Sequence, residues 1–113
     1  MQMSLGELGE SALCVALQGR LDTAGVAKIE AGFAVAVAEG QRDAAVDLSA
    51  VTFLSSMGVR MIISNARAQR AKGHLFVLFG SQPVVQSTLD MVALDQIIPV
   101  VADREAALAK LVR

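Results

Sequence analysis

Short apolar runs that stop at glycine, alternating with longer stretches whose apolar residues recur at helical spacing, constrain this chain more than any other feature. Leu13, Val15 and Leu17 alternate with smaller residues and end at Gly19, the pattern of a strand. The segment near Gln2 to Leu5 is its expected partner in an N-terminal hairpin. Val26, Ile29, Phe33 and Val37 then recur at i, i+3, i+7 and i+11 after a candidate cap at Asp22 or Thr23, which predicts a first helix stopping at Gly40. Ala44 to Leu48 reads as a short buried strand, followed by a loop. A second helix is expected from about Ser56 to Lys72, ending at Gly73. Leu75 to Phe79 is a near-continuous apolar run between Gly73 and Gly80, as in a strand covered on both faces. Pro83 suits the first turn of a third helix reaching about Met91. Ile97 to Val101 would be a last strand, and Asp103 would cap a C-terminal helix carrying Ala107, Leu108 and Leu111.

Strands alternating with helices imply an α/β fold: a mostly parallel sheet with an antiparallel edge from the hairpin and about four helices packed on it. A length of 113 residues and a hydrophobic content of 54% suit one compact domain, 1–113, with a sizeable core. Ten basic against eleven acidic residues leave a net charge of −1, with no basic cluster. That balance gives no reason to expect nucleic acid or an anionic membrane as partner. The longest run of small and apolar residues, Ala31 to Ala38, falls short of the ~20 residues that cross a bilayer. Met1 to Glu10 carries acids and no basic residue, unlike a secretory signal. A cytoplasmic location follows as the expectation. Cys14 lies among apolar neighbours and reads as a small buried strand residue. His74 has no histidine or cysteine nearby to share a metal, so no metal and no cofactor is expected. No serine–histidine–acid arrangement, phosphate-cradling glycine loop or paired carboxylate motif is visible, which argues for a binder and not an enzyme.

In such sheets function gathers in loops at the carboxyl ends of strands, which directs attention to the stretch after Leu48. It reads Asp47-Leu48-Ser49-Ala50-Val51-Thr52-Phe53-Leu54-Ser55-Ser56-Met57-Gly58. Phe53 and Leu54 have the character of core anchors. Ser55 and Ser56 stand where a helix begins with unsatisfied N–H groups, and Ser56 is the expected cap. Ser49 would hold the turn after the strand through its side chain. Gly58, in the first helical turn, costs about 1 kcal/mol relative to alanine, which points to close approach of the backbone by another molecule.

The pattern D-L-S-x-V-x-F-L-x-S-x-G in these residues resembles the signature of STAS domains. Gly19-Arg20-Leu21-Asp22 resembles the G-x-L-D turn before their first helix. The order of strands and helices is also similar from end to end. This chain has Ser55 where the family often has aspartate, and Met57 where serine or threonine is frequent. The resemblance implies a stand-alone anti-sigma factor antagonist that works by partner switching. Its unphosphorylated form would bind an anti-sigma factor that is a serine kinase. Phosphorylation at the position matching Ser56, with Ser55 the rival acceptor, would end that binding, and a PPM-type phosphatase would reverse it. The alternative within the family is a STAS subunit of a lipid or anion transport complex docking on an ATPase.

The residues expected to meet the partner are Asp22, Ser55, Ser56, Met57, Gly58, Arg60, Met61 and Ser64. Val59, Ile62, Ile63 and Ala66 should face the sheet. Met57, Met61, Ser64 and Ala68 should lie opposite, with Arg60 and Arg67 beside them, forming an exposed methionine stripe suited to adaptable binding.

Overall fold

Residues 1–112 are described by a computed structural model. In chain order the elements are β1 (Gln2–Leu8), β2 (Ala12–Leu21), α1 (Thr23–Gly40), β3 (Ala44–Leu54), α2 (Ser56–Ala71), β4 (Phe76–Phe79), α3 (Pro83–Met91), a 3-10 turn (Leu94–Gln96), β5 (Val100–Val101) and α4 (Arg104–Leu111). The strands form one sheet in their order of appearance, β1-β2-β3-β4-β5. β1 and β2 are antiparallel and every later pair is parallel, so the expected α/β architecture is the one observed.

The two sheet faces follow from strand alternation. Leu13, Val15 and Leu17 of β2, Ala44, Val46 and Leu48 of β3, and Phe76 and Leu78 of β4 point to one side. There they meet Val26, Ile29, Phe33 and Val37 of α1, Val59, Met61, Ile62 and Ala66 of α2, and Val85 and Leu89 of α3. Ala12 and Cys14, Ala45, and Val77 and Phe79 point to the other side, where α4 covers them with Ala107 and Leu111. Cys14 is buried there, and burial pushes its thiol pKa up.

Local chemistry sets the helix ends. Asp22 caps α1 by accepting from the Gly25 N–H, and Asp103 caps α4 by accepting from the Ala106 N–H, each at 2.8 Å. Gln41, with φ 49°, and not Gly40, takes the left-handed position that ends α1. Pro83 opens α3 as expected.

Two expectations fail for long-range reasons. β3 does not stop at Leu48 but continues to Leu54, pairing with the end of β2. β3 carries an extra residue between the Ala16 and Gln18 pairings and another between those of Gly19 and Arg20. These bulges place Ser49 and Ala50 side by side in solvent and break the period of two that identifies a strand. The Asp47 carboxylate, not the Ser49 side chain, holds the first irregularity, accepting from the Ser49 N–H at 2.9 Å. The last strand is also shorter than Ile97 to Val101, because Ile97 and Ile98 leave the 3-10 turn and Ile98 plugs the core at 1% exposure.

Candidate functional site

β3 outruns β4, whose last pairing is Phe79 with Asp47, and β2 outruns β1, whose pairing reaches only Gln18. The ends of β2 and β3 therefore project as a two-stranded ribbon. Its inner face is buried through Leu21, Val51 and Leu54. The first turns of α1 and α2 both start from its tip.

Ser55 fastens these two turns together. Its Oγ donates to the Leu21 carbonyl at 2.7 Å and accepts from the Gly58 N–H at 3.2 Å, while its own N–H donates to the same carbonyl at 3.0 Å. Ser55 is thus the cap of α2, one residue earlier than expected, and Ser56 is the first residue inside the helix. Ser56 is exposed, beside first-turn N–H groups that lack an intrahelical acceptor. Leu21 leads directly into Asp22, so the two helix caps are neighbours.

Around Asp22 the charges are arranged tightly. One carboxylate oxygen takes the Gly25 N–H and the other accepts from Arg20 Nε at 3.4 Å. The Gly25 N–H, and then the Arg20 guanidinium, hold the Asp22 carboxyl below the usual carboxylate range. Gly25 is needed sterically, since a Cβ there would lie 2.1 Å from the Arg20 carbonyl oxygen. The Arg20 guanidinium stacks on the Phe53 ring, 4.5 Å from its centroid. Phe53 is accordingly a half-exposed platform, and only Leu54 of the expected pair is a core anchor. Neither Arg20 nor Phe53 stood out as a site residue in the sequence. Their encounter depends on the second bulge, which sets Arg20 opposite Phe53.

Two of the expected partner-binding residues point inward. Gly58 is buried, and a Cβ there would sit 2.8 Å from Leu54 Cδ1 and 3.0 Å from Leu21. Its missing side chain accommodates this protein's own core, not an approaching molecule. Met61 is 2% exposed, because α1 lies alongside α2 and covers the flank that would otherwise meet water. The methionine stripe is therefore reduced to Met57, which is 38% exposed. Arg60 and Ser64 are exposed, and Val59, Ile62 and Ala66 are buried against the sheet with Ile63 at its margin. Ser64 lines a groove of about 400 Å³ between α1 and α2 that Ala34, Ala38, Ala68 and Lys72 also border. Among the described residues, no group of three or more histidine, cysteine, aspartate or glutamate side chains is placed to hold a metal ion.

The STAS domain family model matches residues 7–107. The chain belongs to the STAS domain family. This STAS domain is 29% identical over 109 residues to BtrV of Bordetella bronchiseptica, a candidate anti-sigma factor antagonist, covering 96% of this chain and 93% of that protein. Its fold is shared with an anti-sigma factor antagonist from Mycobacterium paratuberculosis, at a TM-score of 0.87 and 20% identity, over 97% of this chain and 92% of the other. The Bacillus cell fate determinant SpoIIAA in its phosphorylated form is similar at a TM-score of 0.68 and 20% identity, over 94% and 96% of the two chains. No helix among the described residues is long and apolar enough to cross a membrane.

Proposed function

We propose that this STAS domain is an anti-sigma factor antagonist that acts by partner switching. Unphosphorylated, it binds a serine-kinase anti-sigma factor through the surface around Asp22, Ser56, Met57, Arg60 and Ser64, and so frees the client of that factor. Transfer of the γ-phosphoryl group of ATP to Ser56 Oγ, with ADP leaving, ends the binding. A PPM-type phosphatase restores it by hydrolysis. In this reading the protein is a phosphoacceptor and binder with no catalysis of its own.

The observation that carries the reading is the division of labour between the two serines. The Ser55 hydroxyl is committed in both directions, as donor to Leu21 and acceptor from Gly58, whereas Ser56 is exposed at the helix end. A phosphate on Ser56 would add about −1.5 to −2 charges beside free N–H donors and the positive end of the α2 dipole. The protein itself tolerates that charge. A partner surface shaped for a neutral hydroxyl does not, because it meets added bulk, repulsion and a desolvation cost. The names of BtrV and the Mycobacterium protein, and the existence of SpoIIAA in a phosphorylated form, support the same direction.

The test is incubation with the kinase and labelled ATP, followed by mass spectrometry of the peptide spanning Ser55 and Ser56. Wild type and Ser55→Asn, which keeps a capping acceptor, should be labelled, and Ser56→Ala should not. Label retained in Ser56→Ala moves the acceptor and defeats the assignment.

A further inference from the structure

The sheet has two free edges, and they differ. β5 contributes only Val100 and Val101, both half-buried. β1 pairs with β2 in unbroken antiparallel register along Gln2–Leu8 and carries no proline, lysine or bulge to blunt its outer edge. Its one charged residue, Glu7, is held by both Arg42 nitrogens at 2.6 Å, and the Arg104 guanidinium donates to the Glu7 carbonyl. The open stretch is therefore Gln2 to Gly6. Leu5, in its middle, is 56% exposed.

Helix α1 runs beside this edge, and its level can be fixed at two points. A Cβ on Gly32 would lie 3.4 Å from Met3 Cε, and one on Gly40 would lie 3.4 Å from Leu13 Cδ2, the residue opposite Glu7. Helical and strand rises of about 1.5 and 3.3 Å per residue agree with that alignment. On the flank of Gly32, at steps of four, three and four, stand Lys28, Gly32, Val35 and Glu39, all exposed. Val35 is 51% exposed and lies level with Leu5 to within a residue. Lys28 and Glu39 form no salt bridge among the described residues.

We propose that this edge binds a second copy of the same chain, joining two sheets through antiparallel β1 strands. The flank is self-complementary about one point. The midpoint of Lys28 and Glu39 falls between Phe33 and Ala34, which is level with Ser4, the centre of Gln2 to Gly6. A two-fold axis there sets Met3 of one copy opposite Leu5 of the other, brings the two Val35 side chains together, and places each Lys28 against the other copy's Glu39. The ribbon tip with Ser56 stays outside this contact, so the inference stands apart from the proposed switch.

The experiment is sedimentation equilibrium of the whole chain from low micromolar to about millimolar concentration. Mass should rise from monomer to dimer. Leu5→Lys should abolish the rise. Lys28→Glu or Glu39→Lys alone should weaken association about five-fold or more by facing like charges, and the double exchange should restore it. All three sites are exposed, so circular dichroism and thermal melts should match wild type and separate misfolding from lost contact. A monomer at every concentration overturns the proposal, including one that accepts only another protein's strand. So does a dimer indifferent to Leu5→Lys, or a double exchange as weak as the single changes.

Discussion

The two adjacent serines differ in what the fold asks of them, and stability can distinguish them. Replacing Ser55 by alanine removes the acceptor for the Gly58 N–H and one of two donors to Leu21. Urea denaturation should show a loss of about 1 kcal/mol for Ser55→Ala and a change within about 0.5 kcal/mol for Ser56→Ala. Asp22 predicts a pH effect of definite sign. Its carboxyl is held down in the folded state, so its charged form contributes stability above the ordinary carboxylate range. That contribution is lost as pH falls through the lowered folded value. Asp22→Asn keeps a capping oxygen but not the charge, so it should be less stable than wild type near neutrality, and the gap should close as pH falls because the variant declines less steeply in acid. The caps themselves were legible in the sequence, since Asp22, Asp103 and Pro83 act within four residues of their own position. The choice of Ser55 over Ser56 was not, because the deciding acceptor, the Leu21 carbonyl, is remote in sequence.

Helix α2 shows what one-dimensional periodicity cannot resolve. Its sheet-facing side was readable from Val59, Ile62 and Ala66, but a helix flanked by another helix buries a wider arc. Met61 falls in that added arc, as does Gly58 beneath Leu21 and Leu54. Met61→Ala should therefore cost about 2–5 kcal/mol in unfolding free energy, a core effect, whereas Met57→Ala should cost little. Partner affinity should respond the other way. If the proposed surface is the docking site, Met57→Lys should weaken binding of the anti-sigma factor in titration calorimetry, and Met61→Leu, which keeps volume and burial, should leave it unchanged. The bulges of β3 explain the other gap at this scale. Two extra residues disguised a strand as a loop, although the residues forming it were the same ones that carry the family resemblance.

For the whole molecule, the order of strands and helices was readable because each crossover is local and each strand lies beside the next. Placement of three helices on one face and α4 on the other was not, since it rests on which alternate residues of β2 to β4 are larger. If phosphate at Ser56 acts by charge at the interface, the fold should persist. Thermal unfolding and the amide spectrum should then change only around the first turn of α2, and loss of α2 helicity on phosphorylation would replace this account with a conformational one. The projecting ribbon adds a means of watching this without any label. From Leu48 onward β3 has a strand neighbour on one side only, so its backbone amides should trade hydrogen for deuterium sooner than those of the central sheet. A partner seated on the tip would slow that trade selectively at residues 19–22 and 49–58, writing its footprint into the exchange pattern, and the phosphorylated protein offered the same partner would leave no such mark.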